Sequence, residues 1–130
     1  MDSRPESHPE SRAQRGSAAE QLAAQYLQAL GLSILARNLR CRAGELDLVS
    51  FDHDVLAIVE VRQRAKADFG GALASVTWRK QRKIIRATQY FRQRETQWRA
   101  YAMRFDVVAL EGLPDAAHRI VWIKDAFRAG

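Results

Sequence analysis

Five consecutive residues, Val55-Leu56-Ala57-Ile58-Val59, are apolar at every position. A strand without a polar alternate face is covered on both sides, which places it in the middle of a sheet. The pattern around it predicts the other elements. From Gly16 to Leu30, Ala19, Leu22, Ala23, Tyr26, Leu27 and Leu30 recur at helical spacing, and Gly31 supplies a stop. At about 100° per residue, Glu20 falls just past the edge of this stripe beside Leu27, at the rim of the core. A short strand is expected at Ser33 to Arg37, followed by a polar, basic connection from Asn38 to Ala43 that holds Arg40 and Arg42. Glu45 to Phe51 and Val55 to Arg62 read as two strands joined by the turn residues Asp52-His53-Asp54. Gln63 to Gly71 reads as a loop, and Val76 to Arg94 as a second helix with Thr77, Ile84, Ala87, Thr88 and Phe91 on one face. Arg104 to Leu110 and Arg119 to Lys124 are the closing strands, with Gly112-Leu113-Pro114-Asp115 as their turn. The order αβββαββ predicts an α/β sandwich around a mixed sheet.

The strand pattern also aligns side chains. Alternation puts Glu45 and Asp47 on one face, and Glu60 and Arg62 on one face. If Asp52 to Val55 form the turn, Phe51 faces Leu56, Asp47 faces Glu60 and Glu45 faces Arg62. Directly opposed Cβ atoms lie about 4.5–5.5 Å apart, a separation at which two carboxylates can grip one hard cation. A turn shorter by one residue would send Asp47 and Glu60 to opposite faces. The plain alternative is a salt-bridge network at a sheet edge. Lys80 projects within the inward stripe of the second helix, aimed at the acids or snorkelling past them.

Composition changes the picture in one respect. The chain has 130 residues, 47% hydrophobic and 28% charged, the ordinary balance of a single globular domain. Yet Lys and Arg number 21 against 15 Asp and Glu, a net charge of +6. A basic chain favours polyanionic partners. The excess is concentrated: Arg79, Arg82, Lys83 and Arg86 lie three or four apart on the second helix, and Arg64 precedes it. Such stripes hold phosphates without reading sequence. Trp98 and Tyr101 beside Arg99 are candidates for base stacking, with packing favoured; His8, His53 and His118 are scattered and receive no role. Cys41 is the only cysteine, which excludes an internal disulfide and a cysteine-based zinc site and fits a reducing cytoplasm. No apolar stretch reaches the ~20 residues of a membrane span. Met1 to Arg15 has no signal-peptide core and reads as a disordered tail before a domain spanning 16–130.

The motifs together resemble the YraN-type family of bacterial proteins, within the restriction-endonuclease-like PD-(D/E)xK superfamily. The resemblance runs from about Gly16 to Phe127 and rests on several segments. They are Ala19-Glu20 with Ala23 and Tyr26-Leu27, Arg37-Asn38, Gly44-Glu45-Leu46-Asp47-Leu48, Val59-Glu60-Val61-Arg62, Phe69-Gly70-Gly71, Lys80 and Arg104-Phe105-Asp106-Val107-Val108. It implies a restriction-endonuclease-like sandwich and a catalytic set of Glu20, Asp47, Glu60 and Arg62. Magnesium, with manganese as the alternative, would sit on Asp47 and Glu60. Arg62 stands where the superfamily has lysine; it can neutralise phosphate charge but cannot act as a base. Lys80 is the candidate compensation.

Three functions are therefore expected, in order. The first is a metal-dependent nuclease acting on nucleic acid, DNA before RNA, with Arg40, Arg42, Arg64, Arg79, Arg82, Lys83 and Arg86 on the phosphates. The second is a catalytically impaired nuclease fold serving as a nucleic-acid-binding module. The third is a basic cytosolic adaptor for an acidic protein.

Overall fold

The structure, a computed structural model, describes residues 12–64, 71–112 and 119–129. Helix α1 (Arg12–Ala29) leads into β1 (Ser33–Cys41), β2 (Gly44–Asp52) and β3 (Val55–Arg64). A single turn, α2 (Gly71–Ala74), precedes α3 (Trp78–Arg94), a 3₁₀ turn (Thr96–Ala100), β4 (Ala102–Glu111) and β5 (Arg119–Phe127). The five strands form one sheet in chain order; β3 and β4 are parallel, joined over α3, and the other neighbours are antiparallel. This is the α/β arrangement with a mixed sheet that the hydrophobic pattern predicts.

The apolar run of β3 occupies the centre. Leu56 and Ile58 enter a core beneath α3 with Ile84, Ala87 and Trp98, while Ala57 and Val59 enter a second core beneath α1 with Ala23, Ala24 and Leu27. The turn between β2 and β3 is the expected one. Asp52 pairs with Val55 and Phe51 with Leu56, leaving His53 and Asp54 as the loop, with His53 at φ +60°.

Several boundaries differ from the sequence expectation. Helix α1 begins at Arg12, four residues before Gly16; the earlier part of the expected tail, residues 1–11, lies outside the described residues, as do Phe69-Gly70, Leu113-Pro114-Asp115, His8 and His118. Ala24 is buried and Leu30 is exposed, so the inward stripe of α1 is rotated toward Glu20, which shares it at i, i+4 and i+7 with Ala24 and Leu27. Gly31, at φ +97°, closes the helix by letting the Leu32 N–H reach the Leu27 carbonyl at 3.0 Å. Strand β1 does not end at Arg37; the basic connection up to Cys41 pairs with the start of β2. Thr77 does not pack on the α3 face. It is the N-cap, its hydroxyl accepting from the Lys80 N–H at 3.2 Å. Among the described residues no helix is long and apolar enough to cross a membrane.

Candidate active site

The acidic site is built where the β1–β2 ladder departs from regular pleating. Between the pairs Arg37↔Leu48 and Leu39↔Leu46 stand Asn38 and Asp47. Asn38 has φ +52°, a left-handed conformation that asparagine tolerates better than most residues. In β2, Leu46 points into the α3 core and Leu48 into the α1 core, although two residues apart they would share a face in a regular strand. Asp47 sits at that break. The β2–β3 ladder also stops there: its last pair is Leu48↔Val59. Beyond it the Asp47 carboxylate accepts from the Val61 N–H at 2.9 Å. A side chain thus satisfies a backbone donor that the next ladder bond would have taken.

This position lets Asp47 meet acids on both sides. One oxygen from each of Glu20, Glu45 and Asp47 lies within 4.8 Å of the others. Glu60, at the C-terminal end of the apolar β3 run, is 3% exposed and hydrogen-bonded to Asp47. Two cations also approach it. Lys80 Nζ and Arg62 Nη1 each lie 3.6 Å from Glu60 Oε2, and Arg62 Nε donates to Ser75 Oγ at 3.3 Å.

The electrostatics follow from crowding and burial. Desolvation, then the charge of Asp47, push the Glu60 carboxyl up to about 8, against the opposing pull of Lys80 and Arg62. Glu20 is pushed up to about 7, first by burial and then by Asp47, while a hydrogen bond from Asn38 works the other way. Arg40 Nε reaches Glu45 at 3.3 Å from an exposed position. The four carboxyls are therefore too crowded to ionise together without a further cation, and oxygen donors of this kind suit a hard divalent ion such as magnesium.

The sequence-derived candidates separate accordingly. Glu20, Asp47, Glu60, Arg62 and Lys80 are brought together. Glu45, expected opposite Arg62, instead joins the cluster from the β1 side, across from Arg40. The expected pairing fails because the β2–β3 ladder ends before reaching it, and Arg62 turns to Glu60 and Ser75. Asn38, which strict alternation passes over, shapes the break; its signal is a residue type tolerant of positive φ inside a strand pattern. Arg79, Arg82, Lys83 and Arg86 are all exposed on α3, and Arg42 is exposed in the β1–β2 turn. Arg64 donates to the Gly71 carbonyl. Trp98, 2% exposed in the α3 core, is a packing residue, and Tyr101 packs edge-on to Phe51 while staying partly exposed.

Residues 19–110 match the model of Uncharacterised protein family UPF0102. The chain belongs to UPF0102. A UPF0102 protein of Pseudomonas putida (strain KT2440) is 52% identical over 112 residues, covering 86% of this chain and 90% of that protein. A UPF0102 protein of Pseudomonas savastanoi pv. phaseolicola is 48% identical over 117 residues, covering 90% and 95%, and one of Pseudomonas syringae pv. syringae is 47% identical over 116 residues. The UPF0102 match takes in every residue of the acidic site, from Glu20 to Lys80, and all of the cationic α3.

Proposed function

We propose that this UPF0102 protein binds nucleic acid and hydrolyses its phosphodiester backbone with a divalent metal, as a member of the PD-(D/E)xK superfamily. The observation that carries this reading is the convergence of Glu20, Glu45 and Asp47 within 4.8 Å, with Glu60 on Asp47 and two cations on Glu60. Asp47 would be the shared ligand, with Glu20 and Glu45 or Glu60 completing the set for magnesium or manganese. Such an ion supplies the positive charge that activates water and polarises a phosphoryl oxygen. Arg62 and Lys80 pair with Glu60 and would offset charge that develops on the phosphate. Glu20 and Glu60, both raised toward neutrality, can hold or release a proton near working pH. The exposed cations of α3 seat the backbone, and Arg40 and Arg42 extend that surface across the β1–β2 turn.

Arg62 favours a second reading, a binding module with little or no cleavage, because a guanidinium gives up no proton. One assay separates the two. Branched, flapped, single-stranded and duplex substrates are incubated with magnesium or manganese and the wild-type, Asp47→Ala and Glu60→Ala proteins. Metal-dependent cleavage lost in both variants supports the nuclease; activity unchanged in them refutes the site. Binding without any cleavage identifies the module.

A further inference from the structure

The two flanks of α3 differ in chemistry. Arg79 and Lys83 lie on the flank facing β2, where Gly44 approaches the Lys83 carbonyl. On the other flank Trp78 is 69% exposed, the most exposed large apolar side chain among the described residues. Its ring lies under the Arg82 guanidinium, 4.7 Å from the centroid. Beside it Ile85, Gln89 and Arg128 line a recess of about 270 Å³. The same three residues also line a groove of about 610 Å³ floored by Met103, Phe105 and Phe127. The two spaces share this lining and adjoin along a trough. Arg82 and Arg86 stand over the recess, Arg92 and Arg104 line the groove, and Asp125 is the acid among the lining side chains. Arg128 is held by Asp125 at 2.7 Å, and Arg104 is bound to Asp106 and Asp52. Trp78 is two residues from Lys80, whose ammonium touches Glu60.

We propose that this trough holds an unpaired stretch of nucleic acid, with one base stacked on the face of the Trp78 indole that Arg82 leaves open, and phosphates on Arg82 and Arg86. This rests on the nucleic-acid-binding reading above and adds the strand form recognised. A flat apolar surface within a rim of guanidinium groups matches a polymer that alternates apolar rings with negative phosphates. A duplex keeps its bases stacked inside and has none to place there. A plain acidic peptide would use the arginines and leave the indole without a partner.

The test uses the full chain in chelator, so that nothing is cleaved, with three fluorescein-labelled probes of one length: oligothymidylate, its abasic counterpart and a duplex. Trp78→Ala should weaken oligothymidylate binding by about tenfold and leave duplex affinity unchanged, while Trp78→Phe retains most of it. The inference is overturned if the abasic strand binds as tightly as oligothymidylate, if a poly-glutamate peptide displaces the strand as well as the strand itself, or if Trp78→Ala changes both forms equally or neither. Duplex binding without single-strand binding would overturn this inference alone. Absence of binding to all three probes would overturn it together with the nucleic-acid reading.

Discussion

Glu60 ends an apolar strand in the centre of the sheet, which is where a carboxyl is least welcome. Its unfolded value is near 4.5 and its folded value about 8, so between those two the folded chain keeps a proton that the unfolded chain has released. Stability of the metal-free protein therefore falls as pH rises through that window and levels off above about 8. Glu20, raised to about 7, contributes in the same direction. Glu60→Gln keeps the shape without the titration. Its melting temperature should vary less between about pH 5 and 8 and exceed that of the wild type at the alkaline end; a wild type that grows more stable across this range would contradict the burial argument. A bound ion favours the deprotonated acids, so magnesium should raise the wild-type melting temperature more at pH 8 than at pH 6. An ion with equal effect at both pH values would show that the raised carboxyls are not ligands. At this scale the Asp47–Glu60 neighbourhood was legible in the sequence, because a two-residue turn and period-2 alternation fix which residues approach. The place of Glu45 was not. It depends on Asn38 adopting positive φ and on β2 changing face at Asp47, and strict alternation contains neither.

The elements position the site through contacts far apart in the chain. Asp106 is fully buried on β4. It accepts from Arg104 Nε at 2.8 Å, from Trp122 Nε1 at 3.0 Å and from the Asp125 N–H at 2.9 Å. Arg104 in turn donates to Asp52 at 2.8 Å, so one carboxylate ties β4 to the β2–β3 hairpin and to the irregular end of β5. Removing it leaves an indole and a backbone donor without their acceptor and the Arg104 guanidinium with Asp52 alone. Asp106→Ala should lower unfolding free energy by about 3–5 kcal/mol, read as a reduced urea midpoint with far-ultraviolet dichroism retained at zero denaturant. At the start of α3 the cap is smaller in effect but closer to the chemistry. Thr77→Ala should cost about 1 kcal/mol and loosen the first turn that carries Lys80. Neither role was legible from periodicity. Thr77 fits the inward stripe by spacing alone, and Asp106 reads as one acid in an apolar strand until β5 and the hairpin close on it. The central place of β3, in contrast, needed nothing beyond five apolar residues in a row.

Across the whole molecule, charge is divided by place. Acids gather at the end of β3, and α3 carries cations over its exposed surface, so a net charge of +6 conceals an acidic cluster beside a positive helix. A polyanion settling on α3 would bring its phosphates next to the carboxylates, and a divalent ion would relieve the repulsion between them. On the proposed reading the helix also divides the labour between its flanks. Arg79 and Lys83, on the side of the β1–β2 turn, are placed for backbone phosphates, whereas Trp78 on the opposite flank is placed for bases. Phosphate contacts release counterions, and each one on a duplex contributes about 0.9 to the slope of log affinity against log salt. Arg79→Ala combined with Lys83→Ala should therefore weaken duplex binding at low salt and reduce that slope by about 1.8, measured by anisotropy across a salt series in chelator. The unfolding midpoint should stay unchanged, because both side chains are exposed. A slope that remained at the wild-type value would move the phosphate track off this flank and onto other cations, and with it the path by which a backbone reaches Asp47.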